Sequence, residues 1–242
     1  LKKAYWENFD GGIAKMLKLR YLGHAAFSLS DGKYTLLIDP YISGNPLTPV
    51  KAGELSPTHI LLTHGHGDHL GDALEIGKRT GALIIAPTEL ASYLGRKGVK
   101  THAMYMGTYN FDFGKLRMTP AWHGSAVEEK GVNIYTGTPC GYVIYLGGKC
   151  IYHAGDTGIF GDMTLIGRMN PLDCALLPIG GNFTMDPEEA LEAVLMLNPK
   201  LVIPMHYNTF PVIRQDAKQF VKVVEEKGLK ALALAPGESV EI

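Results

Sequence analysis

Three imidazoles and a carboxylate crowd into six residues of this chain, His64-Gly65-His66-Gly67-Asp68-His69, directly after the apolar run Ile60-Leu61-Leu62. An apolar strand that opens into such a turn projects nitrogen and oxygen donors into one small volume. Donors of these types suit a borderline divalent metal such as zinc, which takes histidine nitrogen at about 2.0–2.1 Å. The plainer alternative is a polar loop that happens to be rich in histidine. It is disfavoured because the rest of the chain supplies more donors at the ends of apolar runs. His123 follows Met118-Thr119-Pro120-Ala121-Trp122, Asp156 sits in Ala154-Gly155-Asp156-Thr157-Gly158, His206 ends Val202-Ile203-Pro204-Met205, and Asp39 follows Leu36-Leu37-Ile38. Asp39 reads better as the hydrogen-bond acceptor that fixes a ligand histidine's tautomer than as a ligand itself. The other three complete a set of seven: His64, His66, Asp68, His69, His123, Asp156 and His206. Seven donors are too many for one tetrahedral zinc and suffice for two metals that share a carboxylate.

The elements that must hold these donors are mostly short strands. Leu17–Leu22 alternates with period two, and Ala26–Leu29, a turn at Asp31-Gly32 and Tyr34–Ile38 read as a hairpin. Residues 40–57 form a proline- and glycine-containing loop into the histidine-rich strand end. Leu70 to Arg79 suits a helix stopped by Gly81, Leu83–Ala86 a buried strand, and Thr88 to Gly95 a short helix. Residues 99–123 read as β-structure and 124–139, poor in apolar residues, as an exposed loop. Strands follow at Tyr142–Leu146, Cys150–Ala154, Ala175–Ile179 and Leu201–Pro204. One helix is capped by Asp186, with Pro187, Glu188 and Glu189 in its first turn; another runs from about Asp216 to Lys227, with Gly228 as its stop. Leu229–Ala235 and Ser239–Ile242 can add closing strands. Strands cluster at the start of each half without strict βαβ alternation. The pattern predicts an α/β (α+β) architecture in which two mixed β-sheets pack face to face with helices outside. Residues 1–15 lack clean periodicity and read as an N-terminal extension or expression remnant, with residues 16–242 forming a single domain.

The 242 residues carry a formal net charge of −1 and no basic block, so no electrostatic footprint for nucleic acid or an anionic membrane is expected. No apolar run approaches the roughly 20 residues of a membrane span. The first ten residues lack the apolar centre of a secretory signal. The three cysteines, Cys140, Cys150 and Cys174, adjoin apolar runs and read as buried thiols, which fits a cytoplasmic protein.

The ordered set His-x-His-x-Asp-His, then a distant His, an Asp and a last His resembles the metallo-β-lactamase superfamily from about Leu17 to the C-terminus. Gly23-His24-Ala25-Ala26-Phe27, Thr63–Asp72 and Leu177–Met185 resemble more closely the UPF0173 group of metal-dependent hydrolases, near the ascorbate-6-phosphate lactonase type. The resemblance implies an αββα sandwich with the metals in a cleft at the sheet edges. It implies that His64, His66 and His123 hold one metal, that Asp68, His69 and His206 hold the other, and that Asp156 bridges them. Two such cations, Zn2+ first and Mn2+, Ni2+ or Fe2+ as alternatives, would share a water and lower its pKa towards neutrality. The expected chemistry is hydrolysis of a lactone, ester or phosphodiester in a small molecule by a metal-bridging hydroxide. Asp68 would hydrogen-bond the nucleophile and accept a proton. The competing readings are an iron-dependent redox enzyme on the same fold and a non-catalytic binding or sensing protein. In iron relatives a carboxylate commonly replaces the middle histidine of the cluster; His66 stands here, which implies hydrolysis. A homo-oligomer is compatible with such folds.

Five further residues are candidates for the second shell or the substrate pocket. His24 follows Gly23 at a strand end and can face the cleft. Asp39 has the role given above, and Thr157 is expected to hydrogen-bond the bridging carboxylate. Phe183 and Met185 can wall the substrate pocket or pack in the core. His59, His102 and His153 read as structural. Gly65 and Gly67 are expected to give the turn positive φ and close backbone approach.

Overall fold

The computed structural model describes residues 16–242; the reading of residues 1–15 as an extension lies outside them. The chain starts with β1 (Lys18–Gly23), β2 (Ala26–Ser30) and β3 (Thr35–Ile38), then β4 (His59–Leu61), α1 (Gly67–Leu70), α2 (Ala73–Thr80), β5 (Leu83–Pro87), α3 (Thr88–Gly95) and β6 (Thr101–Met104). It continues through β7 (Thr108–Phe111), β8 (Gly114–Pro120), β9 (Ala126–Glu129), β10 (Val132–Tyr135), β11 (Cys140–Leu146) and β12 (Lys149–His153). The last elements are α4 (Met163–Met169), β13 (Cys174–Pro178), α5 (Pro187–Leu197), β14 (Val202–Met205), α6 (Ala217–Glu226) and β15 (Ser239–Glu241).

Two mixed sheets result, in the orders β15-β1-β2-β3-β4-β5-β6 and β14-β13-β12-β11-β8-β7. Side-chain alternation along each strand builds three apolar layers. Tyr21, Phe27, Leu36, Ile38 and Leu61 of the first sheet meet Met118, Tyr142, Ile144, Leu176 and Ile203 of the second. The intervening residues point outward: Leu37, Ile60 and Ile84 pack on Ala73, Ile76 and Leu90, while Val143, Tyr152 and Leu177 pack on Met163, Val194 and Phe220. Helices therefore cover both outer faces, and the architecture is the expected αββα sandwich. Among the described residues no helix is long and apolar enough to cross a membrane.

Strand direction explains why the site lies at one edge. β3, β4 and β5 are parallel, as are β12, β13 and β14. β1 runs with β3 because β2 is antiparallel to both, and β8 runs with β12 because β11 is antiparallel to both. His24, Asp39, His64, His123, Asp156 and His206 all follow the carboxyl ends of these co-directional strands, the edge at which open α/β sheets bind ligands.

The capping signals at two helices have their expected geometry. Asp186 accepts the Glu188 and Glu189 N–H groups at 2.9 Å, and Asp216 accepts those of Lys218 and Gln219 at 3.0 and 3.1 Å. Four details differ from expectation. Segment 124–139 contains the hairpin β9-β10, which turns at Lys130 and Gly131, both at positive φ. Val127 is its one buried apolar side chain, so the alternation is too weak to read. Helix α4 was not expected: it is short, buries only Met163 and Ile166, and has a glycine inside it. The expected helix over 70–79 is split, with α1 closing at Gly71 and α2 starting after Asp72. Leu229–Ala235 forms only a bridge between Ala231 and Val202.

Candidate metal centre

Ligand atoms of His64, His66 and His123 lie within 4.8 Å of one another, and so do those of His64, His69 and Asp156 and those of His24, Asp68, His69 and His206. These overlapping groups contain all seven donors read from the sequence, with His24 in addition. His64 Nε2 and His123 Nε2 stand 3.0 and 3.2 Å from His66 Nδ1. Asp156 reaches three histidines: Oδ1 is 3.2 Å from His69 Nε2, and Oδ2 is 3.0 Å from His206 Nε2 and 3.6 Å from His123 Nε2. Asp68 Oδ2 is 3.1 Å from His24 Nε2 and 4.0 Å from His206 Nε2.

The donor set fits a cation. His69 Nε2, His206 Nε2 and Asp156 Oδ1 are buried and have no aligned hydrogen-bond partner, despite their short separations. Buried polar atoms are nearly always satisfied, so three convergent unsatisfied donors call for a ligand. The mixed imidazole and carboxylate chemistry suits zinc and its first-row neighbours.

Asp39 governs the tautomers of two of these histidines. It is fully buried; its Oδ2 accepts His69 Nδ1–H at 2.8 Å and the Thr63 hydroxyl at 2.6 Å, and its Oδ1 accepts the Thr63 N–H at 2.8 Å. Since the Thr63 proton goes to Asp39, Thr63 Oγ1 accepts from His64 Nδ1 at 3.0 Å. Both Nε2 lone pairs are thereby left for the centre. His24 is fully buried and holds Asp68 through Nε2, while the Thr209 hydroxyl, 2.9 Å away, donates to its Nδ1. The main-chain N–H of His206 donates to the His24 carbonyl at 2.8 Å, which ties the two sheet edges together. His24, Asp39 and His206 all have φ between 43° and 58°, a region that costs L-residues energy and recurs at functional sites.

Electrostatics follow from burial and from this crowding. Burial lowers the His64 pKa well below the ordinary histidine value, and the charge of His69 adds to the effect. Burial also takes His24 down to about 4, against the opposing pull of Asp68. At His69 burial works in the same direction, but without a cation the Asp156 and Asp39 carboxylates outweigh it and hold the pKa well above ordinary, so a cation at Nε2 would displace a proton there. Burial alone would raise Asp156; His206 and His69 instead keep its carboxyl well below the usual range.

A cavity of about 410 Å³ opens over the cluster, lined by His66, Asp68, His123, Asp156 and His206, and walled by Phe183, Phe210 and Val212. Phe183 thus faces the cleft. Met185 does not: it is fully buried in the layer beneath α5 and α6. Thr157 is also placed differently from expectation. Its hydroxyl donates to the Gly158 carbonyl and accepts the Trp122 N–H, so it braces the loops beside the cluster and leaves Asp156 alone. His153 packs in the interior, bonding the Ala25 carbonyl and the Gly155 N–H, and His59 bonds Thr58 and Asp112. Thr63, Thr209, Phe210 and Val212 were not singled out from the sequence, because a lone hydroxyl or apolar residue in a loop carries no spacing signal.

Neither Gly65 nor Gly67 has the positive φ expected of it. A Cβ at Gly67 would meet open space, whereas one at Gly65 would collide with Thr136 Oγ1 and press tightly on the Ala126 main chain. Gly65 is therefore required by close approach of the β9-β10 hairpin, and its N–H donates to Ser125 Oγ at 3.1 Å. Gly65→Ala is expected to destabilise the protein by about 1–3 kcal/mol, the usual cost of overpacking. It should also weaken metal uptake, because His64 and His66 flank the clash. Chemical denaturation and metal titration check this; unchanged stability would contradict it.

The beta-lactamase superfamily domain matches residues 34–207. A UPF0173 metal-dependent hydrolase of Pelotomaculum thermopropionicum is 52% identical over 229 residues, covering 93% of this chain and 100% of the relative. One from Thermus thermophilus is 49% identical over 228 residues, with 94% and 100% covered. Among solved structures, Igni18, a metallo hydrolase from the hyperthermophilic archaeon Ignicoccus hospitalis, is similar at a TM-score of 0.86 and 39% identity, covering 94% of this chain and 98% of its own. With its sandwich fold and its cluster of histidines and aspartates, the chain belongs to the beta-lactamase superfamily and, within it, to the UPF0173 metal-dependent hydrolases.

Proposed function

We propose that this hydrolase uses two divalent cations, zinc in the first instance, to cleave a lactone, ester or phosphodiester bond in a small molecule. His64, His66 and His123 would hold one cation, and Asp68, His69 and His206 the other, with Asp156 shared. The observation that carries this reading is the reach of Asp156, whose carboxylate contacts His123 of one group and both His69 and His206 of the other. When bound, the cations would supply hydroxide at neutral pH and charge to stabilise the oxyanion that forms.

The remaining work falls to side chains. Asp68 is partly exposed to the cavity and tethered on one oxygen by His24, so a carboxylate oxygen stays near the reacting atoms to take up a proton. Thr209 holds His24 in the tautomer that donates to Asp68. Phe183, Phe210 and Val212 reduce the water in contact with the substrate and so strengthen the local electrostatics.

Hydrolysis of a panel of lactones, carboxylic esters and phosphodiesters tests the reading. Turnover should vanish with a chelator and return with zinc or manganese. Turnover that survives complete metal removal would overturn it. Asp39→Asn probes the orienting shell. An amide cannot accept at every position that Asp39 now serves, so it turns an N–H towards His69 Nδ1 or the Thr63 N–H. Metal affinity should fall about 10–100-fold with the fold kept, as competition with a metallochromic indicator would show; wild-type affinity would contradict the orienting role.

A further inference from the structure

A second cavity of about 660 Å³ adjoins the first through a shared residue, His123. Its walls are mainly apolar, with Trp122, Pro139, Ile159 and Phe160 contributing; Asp162 and His123 are its ionisable side chains. Trp122 is 71% exposed, an unusual position for an indole. Its backbone, by contrast, is clamped. The Trp122 N–H donates to Thr157 Oγ1 at 2.9 Å, and its carbonyl accepts the Gly158 N–H at 3.2 Å. Both partners directly follow Asp156 in the chain. The indole is therefore carried on backbone tied to two residues of the centre, His123 and Asp156, with most of its surface exposed.

Charge narrows the ligand. Among the described residues neither cavity has a lysine or arginine in its lining, and the fixed charges are the carboxylates of Asp68, Asp156 and Asp162. An anionic group away from the scissile bond would meet no guanidinium or ammonium, the usual partners of phosphate. An apolar chain or ring would meet Trp122 and Phe160 in a space of ordinary ligand size.

We propose that the Trp122–Phe160 cavity is the subsite for the apolar, uncharged arm of a substrate whose reacting bond lies at the His/Asp centre beyond His123. This rests on the hydrolytic reading above and narrows its substrate class to esters, lactones or phosphodiesters that carry a hydrophobic arm and no second anionic group.

The test uses the metal-loaded protein in a Trp6→Phe background, in which Trp122 is the one remaining tryptophan. Hydrolysis is compared for p-nitrophenyl acetate, butyrate and octanoate and for bis(p-nitrophenyl) phosphate. Separately, Trp122 fluorescence follows binding of octanoate and acetate, which needs no turnover. The expected results are a kcat/KM at least tenfold higher for octanoate ester than for acetate ester, and octanoate binding at least tenfold tighter than acetate. Phe160→Ala should flatten both preferences to under threefold through KM and Kd, with metal content unchanged; Trp122→Ala should flatten the kinetic one. Tight octanoate binding without hydrolysis of any of the four compounds would support the subsite and overturn the hydrolytic reading. Ester hydrolysis with no chain-length dependence, and equal binding of both acids, would overturn the subsite alone. A blue shift of Trp122 emission that tracks self-association would make the cavity an interface between copies and overturn the subsite.

Discussion

Asp156→Asn is expected to leave less than one metal ion per chain and to lower kcat/KM by about four orders of magnitude, roughly 5.5 kcal/mol of transition-state stabilisation. The substitution keeps the volume of the side chain, so the buried packing around it survives. It removes the negative charge that faces His69, His206 and His123 at 3.0–3.6 Å. An amide also presents N–H groups where donors to a cation are needed. Both proposed cation positions lose their shared ligand at once, so the effect should exceed that of losing any one histidine. Plasma mass spectrometry and steady-state kinetics on the same preparation test this, with circular dichroism as the control on folding. A variant with wild-type metal content and rate would rule out the shared-ligand role.

Asp68→Ala has the second largest expected effect. Asp68 combines partial exposure to the cavity with a fixed tether to His24, the combination a proton acceptor needs. Loss of a positioned general base costs about 10²–10⁴-fold in rate. The proposed role as a metal ligand places the expectation towards the upper end. The loss should fall on kcat when zinc is saturating, because Asp68 would act on the reacting atoms more than on substrate binding. Because Asp68 is not part of the apolar layers, thermal unfolding should change little. Wild-type turnover in this variant would remove Asp68 from the mechanism. A loss confined to KM would make it a binding residue.

The donors were legible in the sequence because each follows a strand that reads clearly by itself. Leu36–Ile38, Ile60–Leu62, Val202–Met205 and their neighbours are apolar runs that end in a His or Asp, and co-directional strands bring such ends to one edge. What supports the donors was harder to see. Asp39 was identifiable as a supporting acceptor, yet the relay from Asp39 through Thr63 to His64 depends on rotamers and loop geometry that no spacing encodes. The β9-β10 hairpin gives no sequence signal because it buries almost nothing, although its close approach is what makes Gly65 necessary. The partner of Thr157 is hidden for a similar reason. Its neighbour in sequence is Asp156, but its hydroxyl turns to Trp122, a contact made only when β8 and β12 come together across β11. Burial of Met185 and exposure of Phe183 could not be separated in advance, since both are apolar residues on one short loop.

The number of metal ions per chain tests the central claim most directly. Plasma mass spectrometry on protein purified without a His-tag or added metal, and again after reconstitution, should give about two zinc or manganese ions per chain. Iron as the main metal would favour redox chemistry on this fold. One ion or none after reconstitution would contradict the two-cation centre.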